Sequence, residues 1–103
     1  MSAFQGETLQ ALDLITAKAK RIMASAQGLT GLRRLNELRR VEVLVDVAEE
    51  VFANAYMGPD FKESDLGEQA LKTHHQIEEL SDDIIPRLAW HLRYTKEEHH
   101  ADR

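Results

Sequence analysis

The chain has 103 residues, enough for one small domain, and its 43% hydrophobic and 30% charged composition is globular rather than disordered. The absence of cysteine excludes disulfides, thiolate metal sites and cysteine nucleophiles. No apolar run approaches the ~18 residues of a membrane span, and MSAFQGETLQ lacks the basic and apolar regions of a signal peptide, so we expect a cytoplasmic protein without membrane attachment.

The net charge of −5 is divided unevenly along the chain. Residues 1–40 carry seven Lys or Arg against three Asp or Glu, whereas residues 41–103 carry six against fifteen. An acidic majority argues against a dedicated nucleic-acid binder, because contacts to phosphates supply most of the affinity of such proteins. We expect the two halves to attract each other within the fold or across a dimer, or the basic half to dock on an acidic partner.

The first predicted helix covers residues 7–27. Gly28 is expected to end it in a left-handed conformation, and Thr30 is expected to cap the N-terminus of the next helix. The apolar positions of the first helix fall within an arc of about 100° on a helical wheel. They are Leu12, Ile15, Ala19, Ile22, Met23 and Ala26.

The second predicted helix covers residues 31–57 and stops at Gly58-Pro59. Its middle, residues 41–47, reads VEVLVDV, and this β-branched alternation is also typical of a strand. We favour a helix, because neither flank contains a helix breaker and a lone strand would lack a strand to pair with.

This second helix is apolar around most of its circumference, because Val43 and Val47 lie outside its broad apolar face. A helix with such a pattern is usually buried on two sides, which favours self-association through the valine pair. The alternative is that the two valines are simply exposed. The broad face consists of Val41, Leu44, Val45, Ala48, Val51, Phe52, Ala55 and Tyr56.

Residues 58–63 form a predicted loop, in which Gly-Pro-Asp gives a turn and Phe61 folds back onto the core. Ser64 is the expected N-cap of a third helix over residues 65–81. An apolar stripe begins in this helix and keeps its phase beyond it. The stripe consists of Leu66, Ala70, Thr73, Ile77, Leu80, Ile84 and Leu88.

Ser81-Asp82-Asp83 and Pro86 predict a break or kink at residues 81–85. A fourth helix is expected over residues 84–96, followed by a frayed tail over 97–103. The predicted fold is therefore all-α. It is a single domain, residues 1–103, in which an antiparallel helical hairpin packs against a kinked or broken third and fourth helix.

The five histidines are the main candidates for metal binding or acid–base chemistry. His74 and His75 are adjacent, so their side chains point about 100° apart on a helix and cannot easily chelate one ion. Glu97 and His100 give one Glu-x-x-His motif, whereas a di-iron bundle needs two. We therefore expect no metal ion and no cofactor at the candidate ligands, which are His74, His75, His99 and His100.

Arg33 and Arg40 share one side of the second helix with Val47 and, together with Val43, combine guanidinium and aliphatic groups. This mixture is typical of helix–helix recognition, so we predict that these four residues contact a partner. Trp90 lies off the apolar stripe and is expected either to pack against a second helix layer or to anchor a partner.

These patterns favour a small non-catalytic regulatory or adaptor protein, not an enzyme. It is expected to be a homodimer that binds and inhibits or sequesters a protein partner through its helices. In size, acidity and helical character the chain resembles small bacterial or phage regulators that disable another protein, although it shares no motif with them. One alternative is a metal-binding or catalytic bundle that uses His and Glu residues. Another is nucleic-acid binding through the arginine-rich start of the second helix.

Overall fold

The computed structural model describes residues 3–101, with side chains described for 6–90, 92 and 93, and the regular structure in this range is entirely helical. This confirms the predicted all-α class. The elements are α1 (Ala3–Ala26), α2 (Gly31–Tyr56), a 3₁₀ turn (Glu63–Asp65) and α3 (Glu68–Ala101).

The three helices form an antiparallel bundle in which each helix contacts the other two. The core divides into two clusters, and the order of residues in each shows that α2 runs opposite to α1 and α3. The loop end of α1 and the start of α2 share an aliphatic cluster. It contains Ala19, Met23, Ala26, Leu38, Val41, Val45, Leu80, Ile84 and Leu88. The other end contains Leu12, Ala48, Phe52 and Ile77, with Tyr56 and Leu66 packed against them.

The ambiguous segment 41–47 is helical, as predicted. Its alternating valines separate into two sets because a helix turns about 100° per residue. Val41 and Val45 are 0% and 3% exposed in the aliphatic cluster, whereas Val43 and Val47 are 58% and 43% exposed on the outside of α2.

The predicted break at residues 81–85 is not found, since α3 is one helix that continues through Pro86. Proline removes one backbone donor from a helix. The donor missing at Pro86 would have bonded to the backbone carbonyl of Asp82. Both residues are exposed, so water can bond to that carbonyl instead. The apolar stripe also keeps its phase, because Leu80, Ile84 and Leu88 occupy one core cluster. The predicted helices 65–81 and 84–96 are therefore a single helix.

The ends of the helices differ from the predicted ends in their details. The helix α3 begins at Glu68 rather than at residue 65 and continues to Ala101. It therefore includes residues 97–101 of the predicted frayed tail 97–103, and the last two residues of that tail lie outside the described range. Ser64 lies within the 3₁₀ turn and does not cap α3. None of the helices in the described range combines the length and hydropathy that a bilayer crossing requires.

The connection between α1 and α2 uses glycine at a different position from the one predicted. Gly28 does not have a positive φ, because the chain leaves α1 through i to i+3 hydrogen bonds, including Gly28 N–H to the Ser25 carbonyl at 3.2 Å. Gly31, the first residue of α2, has φ 59°, a conformation that favours glycine. Thr30 occupies the N-cap position as predicted, without a hydrogen bond from its side chain.

Candidate protein-binding surfaces

The outside of α2 presents three exposed apolar side chains along one side of the helix, which we call the outer α2 face: Leu32, Val43 and Val47. Leu32 is 71% exposed and precedes Val43 by eleven residues. Eleven residues are about three helical turns, so the two side chains project from nearly the same side of α2. The exposed position of the valine pair was predicted from the sequence, whereas Leu32 was missed. The spacing to Val43 is the signal that identifies it.

The two predicted arginines lie beside this face. Arg33 is exposed, and Arg40 is exposed and contacts Glu37 one turn before it, with its Nη1 3.1 Å from both carboxylate oxygens. The seven-residue spacing places Arg33 and Arg40 on the same side of α2 as Val47. The structure thus brings four of the five predicted partner-binding residues onto one strip of a single helix.

The fifth predicted residue, Trp90, is on a different part of the bundle. It is 56% exposed, so it does not fill a second layer of helices. It follows Ile85 by five residues, which is about 140° around α3. Since Ile85 lies on the side of α3 that faces α2, Trp90 points away from α2 and does not join the outer α2 face.

The arginine-rich start of α2 does not present one basic surface. Arg34 is half-buried with its Nε enclosed, so it does not add to a solvent-facing basic surface. Arg39 projects about 100° from Arg40, and Arg40 is paired with Glu37. Arg33 and Arg40 share one side of α2, whereas Arg34 and Arg39 point elsewhere. The four guanidinium groups therefore do not converge on one face, as phosphate-backbone binding requires.

An aromatic cluster closes the Tyr56 end of the bundle. Phe52 stacks on Tyr56, with ring centroids 4.8 Å apart, and on His74, with centroids 5.0 Å apart. Phe61 meets His74 edge-on at 6.1 Å, so the loop folds back as predicted. Burial in this cluster raises the pKa of the Tyr56 phenol above its ordinary value of 10.0.

The two adjacent histidines have different surroundings. His74 is half-buried and contacts Glu78 one turn later. His75 is exposed, and its Nε2 lies 2.6 Å from a carboxylate oxygen of Glu63 in the 3₁₀ turn. The burial of His74 could have been predicted, because it precedes the core residue Ile77 by three positions and would share its face.

A groove runs between α2 and α3 on the side of the bundle away from α1. Its volume is about 520 Å³, and we call it the α2–α3 groove. Buried and half-buried apolar residues form its floor, and exposed carboxylates form its rim. The floor includes Phe52, Ala53, Ile77 and the half-buried His74. Met57 lies at one end of the groove. The rim includes Glu49, Glu78, Ser81 and Asp82.

A second groove, between α1 and α3, has a different character. Its volume is about 220 Å³, and its lining includes Lys20, Lys72 and Gln76. The Thr73 hydroxyl donates to Asp13 Oδ1 at 3.2 Å, and this hydrogen bond joins α3 to α1 across the floor. Its lining is thus polar and internally hydrogen-bonded, whereas the floor of the α2–α3 groove is apolar.

Among the described side chains, no three His, Asp or Glu residues converge as ligands for one ion. The remaining predicted candidates, His91, Glu97, His99 and His100, lie outside the described side chains.

Comparison with protein-family models, curated proteins and solved structures found no match to this chain.

Proposed function

We propose that this chain is a small non-catalytic regulatory or adaptor protein that acts by binding other proteins through its helices. The observation that carries the proposal is the outer α2 face, where Leu32, Val43 and Val47 are exposed together on one helix. Apolar side chains scattered singly on a surface need no explanation, but an aligned set flanked by charges is typical of a protein-binding surface.

The described site geometry favours binding over catalysis. Ser81 shares the α2–α3 groove with the His74–Glu78 pair. Ser81 follows His74 by seven positions on α3, which is about 10 Å along the helix axis. A nucleophile and its base must lie within hydrogen-bond reach of each other, so these residues do not form a hydrolytic site.

In this proposal the outer α2 face is the seam of a homodimer. A two-fold axis between Val43 and Val47 would bring each valine against the other valine of the second copy. Arg40 would then lie opposite Glu50 of the second copy, and such rim pairs contribute at most about 1 kcal/mol each. Arg33 would flank the same seam.

The seam would remove exposed apolar surface from water, since Val43 and Val47 are 58% and 43% exposed in the single chain. Two-fold symmetry buries each valine twice, once in each copy. A homodimer of this kind depends on concentration, which suits a regulator that exchanges its second copy for a partner and so inhibits or sequesters that partner.

Chemical cross-linking tests the seam, because the chain has no native cysteine. A short bismaleimide should link Val43→Cys into a covalent dimer at concentrations in the tens of micromolar. Lys72→Cys, exposed on the far side of α3, is the matched control and should stay monomeric. Equal cross-linking of both variants, or none with either, would contradict the proposal.

A further inference from the structure

The α2–α3 groove extends beyond the cavity at the end opposite Met57, toward the start of α2. On α3, Ile85 follows the groove residues Glu78 and Ser81 by seven and four positions, and Leu92 follows Ile85 by another seven. Spacings of four and seven keep residues on one side of a helix. Ile85 and Leu92 are both exposed, so an apolar strip continues along the side of α3 that faces α2.

The α2 side of the groove is acidic over the same length. Asp46 and Glu42 precede the groove residues Ala53 and Glu49 by seven positions each, which places them on the groove side of α2. Together, α2 and α3 place five acidic side chains along the groove. Arg39 lies at the end of the groove opposite Met57. The five are Glu42, Asp46 and Glu49 on α2, and Glu78 and Asp82 on α3.

The rim carboxylates leave charge for a partner to neutralise. In the part of the chain that the structure describes, Glu78 contacts His74, whereas neither Glu49 nor Asp82 takes part in an ion pair. An apolar floor between two rows of negative charge is complementary to a helix with an apolar stripe flanked by cations.

The dimensions of the groove fit one helix. From His74 to Leu92 the α3 side advances by 18 positions, about 27 Å at 1.5 Å per residue. A helix laid between α2 and α3 would complete a four-helix arrangement and cover Met57, Ile85 and Leu92, which the three helices leave exposed.

We propose that the α2–α3 groove binds one helix of about 18 residues from a partner protein, with an apolar stripe flanked by lysine or arginine. This gives the chemical class of the partner in the proposed function, but it uses a surface separate from the outer α2 face. The two surfaces can therefore fail independently.

The test uses a fluorescent 18-residue peptide of leucine and lysine with its leucines on one helical face. A peptide of the same composition with its leucines spread around the helix is the peptide control. Fluorescence anisotropy with the full chain should show binding to the first peptide that weakens with salt, and at least about tenfold weaker binding to the second. Equal binding to both peptides, or none, overturns the proposal.

Matched variants locate the binding. Glu49→Gln with Asp82→Asn removes two unpaired rim charges and should weaken binding of the amphipathic peptide by about tenfold or more. Glu7→Gln with Glu79→Gln removes the same charge from exposed positions outside the groove and should leave the affinity unchanged. If the control pair weakens binding equally, the attraction is to overall charge and the proposal is wrong.

Two further readouts separate this groove from the dimer seam. Amide chemical shifts should move on peptide binding along residues 46–57 and 74–85, and shifts confined to the outer α2 face would overturn the proposal. Val43→Ser with Val47→Ser, which weakens the seam without adding charge, should leave peptide affinity within twofold. If Glu49→Gln with Asp82→Asn instead dissociates a wild-type dimer, the groove holds a second copy of this chain and not a partner helix.

Discussion

The inner and outer faces of α2 carry the same residue type in different surroundings. Val41 and Val45 lie in the aliphatic cluster, whereas Val43 and Val47, in the same seven-residue stretch, face outward. The inner pair contributes to folding because its side chains are removed from water when the chain folds. The outer pair contributes less to folding because it stays exposed, and in our proposal a second molecule covers it.

The largest expected effect comes from placing a charge on each face in turn. Val45→Asp puts a carboxylate without a cationic partner into the aliphatic cluster, which costs several kcal/mol and should unfold a domain of this size. Val47→Asp places the same charge where solvent reaches it and should leave the helical content unchanged. Circular dichroism with urea titration measures both, and similar losses of stability would remove the distinction between the faces.

The same contrast can be made on α3 with two adjacent isoleucines. Ile84→Ala should lower the free energy of unfolding by about 2–5 kcal/mol, since Ile84 is 1% exposed in the aliphatic cluster. Ile85→Ala, on the exposed groove side, should change it by less than about 0.5 kcal/mol. Because the pair precedes Pro86 directly, equal effects would show that the phase of α3 is not kept up to the proline.

The smallest effect is a pH dependence at the end of α2. Burial raises the folded-state pKa of Tyr56 above 10.0, so the unfolded chain releases this proton at a lower pH than the folded chain. The unfolded state then binds fewer protons in that range, and stability falls as the pH rises from about 10 upward. The stability loss over this range should be smaller in Tyr56→Phe than in wild type, and equal losses would contradict the assignment.

Periodicity in the sequence was sufficient to predict the inner side of the bundle. The apolar stripe from Leu66 to Leu88 was predicted to include Thr73, and Thr73 is indeed buried, where its hydroxyl bonds to Asp13. The helical state of residues 41–47 also followed, because helix-favouring sequence on both sides outweighed a short β-like pattern. Each of these predictions depends on local spacing alone.

The predicted break or kink at residues 81–85 is wrong because the local signals there conflict with the packing of the core. Ser81, Asp82 and Pro86 resemble the start of a new helix, but Leu80, Ile84 and Leu88 fit one core cluster only if the helix continues. The α2–α3 groove could not be predicted at all. Its floor depends on Phe52 stacking on His74, a contact between helices that no spacing within one helix specifies.

The central claim is that the outer α2 face is a surface for association and not for folding. Sedimentation equilibrium at tens of micromolar tests it most directly, with wild type compared against the double variant Val43→Asp with Val47→Asp. We predict a wild-type dimer and a double variant that is a monomer with its helical content retained. A wild-type monomer, or a double variant that stays dimeric, would contradict the claim.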